Sequence, residues 1–204
     1  MPLSSLLSRT ISRRPSPKSH SSFDDIFDNR AHLMKAEKVR KPWPTLEQIN
    51  ELVKRACGQY IFLDTITCFV GAQCLSPVTQ LDIVIGCLSD HSLFTDMDSI
   101  YRLILEQCPY QDILKVVIDN LVKPGHGAFV SPIAEIWQFS CAQVQLVVDS
   151  LAAVVMEDEG GDLKYHHLSF LEFLADEERA GKFFAPPALA LERFIGDVKK
   201  GEHQ

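Results

Sequence analysis

A chain of 204 residues with 46% apolar content, 10 glycines and 11 prolines is long enough to bury a core and too apolar to be disordered. Its formal charge of −7 is uneven: residues 1–23 hold Arg9, Arg13, Arg14 and Lys18 and no acid, so the remainder carries −11. An acidic body of that kind is a poor electrostatic match for nucleic acid or an anionic lipid surface.

The first 23 residues mix Ser, Arg and Pro with Leu3, Leu6, Leu7 and Ile11. Arginine and leucine without acid is also the composition of a mitochondrial presequence, but Pro15 and Pro17 confine any amphipathic helix to about three turns. Residues 1–42 are expected to form a poorly ordered tail and linker, its basic stretch 35–41 ended by Pro42-Trp43-Pro44. The expected compartment is the cytoplasm, with mitochondrial import the alternative.

Thr45 with Gln48 three residues on is a capping box. Leu46, Ile49, Val53, Ala56 and Cys57 then supply a helical stripe closed by Gly58. Residues 59–74 are more apolar and predict a buried helix carrying Ile61, Phe62, Ile66, Phe69 and Val70. Asp64, Thr65, Thr67 and Gln73 interrupt that run, so it is no membrane span. Ser76-Pro77 starts the next helix, and Thr95 caps another with Met97, Ile100, Tyr101, Ile104 and Leu105 facing inward.

After Pro109 the spacing predicts helices over 111–122, 131–139 (opened by Ser131-Pro132) and 141–152. In the last, Ser140 with Gln143 forms a capping box and Val144, Val147, Val148, Leu151 and Val155 share a face. Strands around 153–157 and 163–167 follow, joined by the acidic, glycine-rich turn 158–162. Three helices and a hairpin in that order form a winged helix. Two more helices are expected over 168–175 and 188–200. The fold class is mainly α, a helical bundle (43–107) followed by a winged-helix domain with one short β-hairpin and C-terminal helices (108–200).

None of the six cysteines (57, 68, 74, 87, 108 and 141) forms a C-x-x-C pair, which argues for buried free thiols rather than zinc ligands. Cys141 falls in a first helical turn, where a thiolate is stabilised, yet no histidine is near it in sequence. A DNA-reading winged helix needs cations for the phosphates. Between Lys123 and Lys164 there is neither Lys nor Arg, and the wing reads EDEGGD.

Residues 43–75, WPTLEQINELVKRACGQYIFLDTITCFVGAQCL, resemble the helical segment that follows the ATPase core of fungal NACHT-domain proteins, in the STAND class of signalling ATPases. Residues 81–105 resemble its continuation. His167-Leu168-Ser169-Phe170-Leu171-Glu172-Phe173-Leu174 is similar to the family's H-x-S-F-x-[DE]-F-L, with Asp176-Glu177-Glu178-Arg179 behind it. The ordered likeness covers residues 43–196. A fainter one, in residues 2–27, makes Arg13 and Arg14 counterparts of a nucleotide-sensing arginine, although the family's single arginine and following glutamate are altered here.

The resemblance implies a part of a signalling switch and gives His167 the role of contacting the β-phosphate of ADP, with Ser169, Phe170 and Phe173 as motif residues. No glycine opens the G-x-x-x-x-G-K-[ST] loop that phosphate binding requires. The expectation is therefore a truncated, non-catalytic relative with no metal or other cofactor. ADP or ATP would enter only within a longer NACHT protein. The expected partner is another protein, such as a full-length NACHT relative, and neither nucleic acid nor membrane. The alternatives are a stand-alone helical adaptor unrelated to nucleotides, and an incomplete gene model of a full NTPase. On the residues alone, His167 is a histidine bonding a backbone group at a strand–helix joint, and His166 points to the other face.

Overall fold

The computed structural model describes residues 22–72, 75–89, 95–122 and 128–186. The chain is mainly helical, with eleven α-helices, one 3-10 turn and one two-stranded antiparallel sheet among those residues. It divides after residue 90 into two compact units.

The first unit holds α1 (Phe23–Asn29), α2 (Ala31–Ala36), α3 (Leu46–Ala56), α4 (Tyr60–Gly71) and α5 (Pro77–Ser89). Residues 22–42 are thus not the expected tail. Ser22 and Asp25 form a reciprocal capping box, and Ile26, Met34 and Trp43 are buried. The Trp43 ring meets Phe23 edge-on at 5.8 Å and Phe27 at 6.4 Å. Lys41 adds an ion pair to Asp28 at 2.8 Å. Three apolar anchors and a local cap hold a segment whose charged composition argued for disorder. The bonds Lys41–Pro42 and Trp43–Pro44 are both cis. Residues 1–21, with Arg13 and Arg14, lie outside the described residues, as does the helix expected over 188–200.

The Thr45–Gln48 capping box opens α3 as expected, and Gly58 follows it at φ +82, a conformation open to glycine. The α3 stripe departs from expectation. Leu52 and Ala56 are buried, whereas Leu46 and Val53 are exposed and Ile49 is half-buried. In α4, Phe62, Ile66, Phe69 and Val70 are buried as the apolar run predicts. Helix α1 packs closely on α4: a Cβ at Gly71 would sit 3.4 Å from the Ile26 side chain.

The second unit contains α6 (Asp96–Gln107), α7 (Gln111–Leu121), α8 (Val130–Trp137), α9 (Cys141–Ser150), β1 (Val155–Glu157), β2 (Leu163–Tyr165), α10 (Leu168–Leu174), α11 (Glu177–Ala180) and the 3-10 turn Gly181–Phe183. Helix α6, assigned from sequence to the first domain, packs instead on α10 and α11. Its side chains Ile100, Tyr101, Ile104 and Leu105 need that partner to be buried, so the domain boundary falls before it. Helices α7, α8 and α9 contact one another, and the hairpin leans on α7 through β2.

Helix α8 begins at Val130, one turn position ahead of the expected Ser131-Pro132 start. Phe129 is its N-cap, which leaves Pro132 inside the first turn where its missing N–H costs nothing. The strands are shorter than expected because residues 151–154 continue α9 as turns. Their register pairs Val155 with Tyr165, Met156 with Lys164 and Glu157 with Leu163. Asp158 Oδ1 accepts the N–H groups of Gly160 and Asp162, both at 2.9 Å, and so shapes the wing turn. Asp162 in turn accepts the Ala128 N–H at 2.7 Å and pairs with Lys164, tying the wing to the segment before α8.

Candidate functional site

The α10 region is built from the junction of β2 and α10. The hairpin ends at Tyr165, His166 turns outward, and His167 takes an extended conformation as N-cap of α10. Its Nδ1 accepts the Ser169 backbone N–H at 3.1 Å. A backbone N–H only donates, so Nδ1 carries no proton and the neutral ring bears it on Nε2. That nitrogen has no hydrogen-bond partner among the described residues, and the side chain is exposed. His166 is exposed too, with Nε2 3.1 Å from the Ala152 carbonyl.

Behind the histidine the network runs inward. The Ser169 hydroxyl lies 2.8 Å from His167 Nδ1 and 2.7 Å from the Tyr101 hydroxyl. With Nδ1 unprotonated, Ser169 is the donor to it, which leaves the serine oxygen to accept the tyrosine proton. Tyr101 is buried, and its ring meets Phe170 at 5.1 Å and Phe173 at 5.3 Å. Burial pushes the Tyr101 phenol above its ordinary value, so the hydroxyl stays a donor. The motif residues Ser169, Phe170 and Phe173 are therefore brought together with His167. Phe170 and Phe173 are core side chains, and Ser169 links core to surface.

One turn of α6 before Tyr101, Asp98 is buried and takes a two-point contact from Arg179, at 2.7 Å from Nη2 and 3.1 Å from Nε. The carboxylate holds Arg179 more firmly in its charged form. Asp176 caps α11 by accepting the N–H groups of Glu178 and Arg179. Arg102 closes the other end of α11, donating to the carbonyls of Arg179 at 2.8 Å and Glu178 at 3.2 Å. Helix α6 thereby anchors both helices that follow the hairpin.

Sequence reasoning missed Tyr101, Asp98 and Arg102 as members of this cluster. A local signal existed for Asp98. It stands at the capping-box position after Thr95, yet its carboxylate points to Arg179 rather than back to the cap.

The thiols also part from expectation. Cys108 is buried, but Cys57 and Cys141 are exposed and Cys68 and Cys87 half-buried. Burial and Asp64 push the Cys68 thiol up to about 11. Among the described residues no group of three or more His, Cys, Asp or Glu could hold a metal ion, and no helix is long and apolar enough to cross a membrane. No family model, curated protein or solved structure matches the chain.

Proposed function

We propose that the chain is a non-catalytic protein-interaction module, of the kind that follows the ATPase core in fungal NACHT signalling proteins, working in the cytoplasm. The observation that carries this reading is the outward surface of the winged-helix elements. Ile136 and Trp137 on α8 are 74% and 51% exposed, and Leu146 on α9 is 52% exposed. The other outward positions of α9 are Ala142 and Asp149, with Cys141 at its start. A nucleic-acid reader would place lysines and arginines there. Apolar side chains beside acids suit a protein surface instead.

His167 supports the same reading from another side. Its Nδ1 is committed to capping α10, so its first duty is structural, and the chain has no G-x-x-x-x-G-K-[ST] loop to hold a nucleotide beside it. The test is to mix the purified chain with a purified full-length NACHT protein from the same source and follow co-elution. Association is expected, weakened at least about tenfold by Trp137→Ser, whose exposed ring is a strong anchor. No association, or salt-sensitive retention on duplex DNA, overturns the proposal. If ADP raised the melting temperature and His167→Ala abolished the effect, a nucleotide-responsive role would replace it.

A further inference from the structure

The exposed half of the α3 stripe offers a second surface, independent of the reading above. Leu46 is 61% exposed and Val53 43% exposed; Ile49 between them is half-buried and Asn50 is exposed. These positions follow one another at i, i+3, i+4 and i+7, so they form one line along the helix. The core of the unit takes the adjoining flank, through Leu52 and Ala56, which stand three and seven residues after Ile49. An apolar seam of this regularity on a surface is the pattern by which helices pair.

The charges on the same helix say what pairs with it. The first turn carries the exposed Glu47 and the last carries the exposed Lys54. Neither joins a salt bridge among the described residues, whereas Glu51 and Arg55 are already paired with each other at 2.6 Å. A helix that is acidic at its start and basic at its end is complementary to itself when a second copy runs antiparallel. With Ile49 and Asn50 beside the two-fold axis, Leu46 meets the partner's Val53, and Glu47 comes within one turn of the partner's Lys54. Each contact occurs twice, as an isologous pair requires. Asn50 supplies a polar group near the axis that can bond to its own copy, a device that sets register in paired helices.

We infer that the α3 face is a self-association surface, on which two copies of this chain pair antiparallel about the Ile49–Asn50 axis. The stripe lies on a helix of eleven residues, roughly 16 Å long, and so buries less than a standard interface. The dimer is accordingly weak and forms with rising concentration.

Sedimentation equilibrium of the full chain, from about 1 μM to about 1 mM, reads it directly. Wild type is expected to pass from monomer to dimer within that range. Glu47→Lys alone and Lys54→Glu alone each set like charges against each other twice and should weaken pairing on the order of tenfold or more. The two single variants mixed together, or the double variant Glu47→Lys/Lys54→Glu, restore opposite charges and should recover it. Helical circular dichroism checks that each variant keeps its fold. A chain monomeric throughout, or pairing indifferent to these reversals, overturns the inference. So does a monomer that Leu46→Gln/Val53→Gln destabilises, because the stripe would then be covered by the chain itself.

Discussion

Asp98 and Arg179 show how much one contact can carry. The carboxylate side chain is only 3% exposed and the arginine contacts it at two points, across 81 residues of sequence. Removing the cation would leave a buried charge without its partner, which costs far more than the pair itself contributes. Arg179→Met is expected to lower unfolding stability by about 2–4 kcal/mol, and Arg179→Lys by less, since one of the two contacts survives. Urea denaturation followed by circular dichroism gives both values, and a loss below about 1 kcal/mol for Arg179→Met would contradict this account. Nothing in the sequence marks the pair. Asp98 stands three residues after the Thr95 cap and Arg179 in a charged run 81 residues further on, and a single chain records spacing along a helix but not which distant helix closes over it.

Helix caps are the opposite case. The boxes Thr45–Gln48 and Ser140–Gln143 were legible, since donor and acceptor lie three residues apart and need no tertiary partner. Ser22–Asp25 follows the same rule, and its reciprocal box caps a short helix directly behind a stretch with the composition of a tail. Apolar periodicity was a good guide in α4 and α6, where most of the stripe is buried. It misled in α3, since periodicity identifies a face without saying what covers it. For the site, the joint at His167 and its neighbours Phe170 and Phe173 could be read from sequence, while Tyr101, 68 residues from Ser169, could not. At this joint α10 depends on the imidazole for its cap. His167→Ala should cost about 1 kcal/mol, and His167→Asn, whose side-chain oxygen can accept the same N–H, should recover most of it. Equal losses in thermal or urea unfolding for the two substitutions would show that Nδ1 does not cap the helix.

The molecule as a whole should be weakest at the pH extremes, and the alkaline side is the more informative. Cys68, in the first unit, holds its proton up to about 11 against an ordinary value of 9.0, and Tyr101, in the second, is raised by burial as well. A folded state that binds a proton more tightly than the unfolded chain is favoured below the unfolded value and loses that advantage as pH rises through the folded one. Stability is therefore expected to fall as pH climbs from 9 to about 11, with a share of about 2 kcal/mol from Cys68. Urea midpoints measured across that window should decline less in Cys68→Ala than in wild type. Identical slopes would rule out the thiol. On the acid side the sign reverses: Asp25, held low by the Ser22 groups, and Asp162, held low by Lys164, give their stability above the carboxylate range and lose it as pH falls.

The cap at His167 also sets its coordination chemistry. A metal ion bonds a ring nitrogen through a free lone pair, and here that lone pair is on Nδ1, already occupied by the Ser169 N–H. Freeing Nε2 for a metal would move the proton to Nδ1, turn it against that same N–H and uncap α10. To anything approaching from solvent the neutral ring is thus a hydrogen-bond donor rather than a ligand, selective for oxygen acceptors over transition metals.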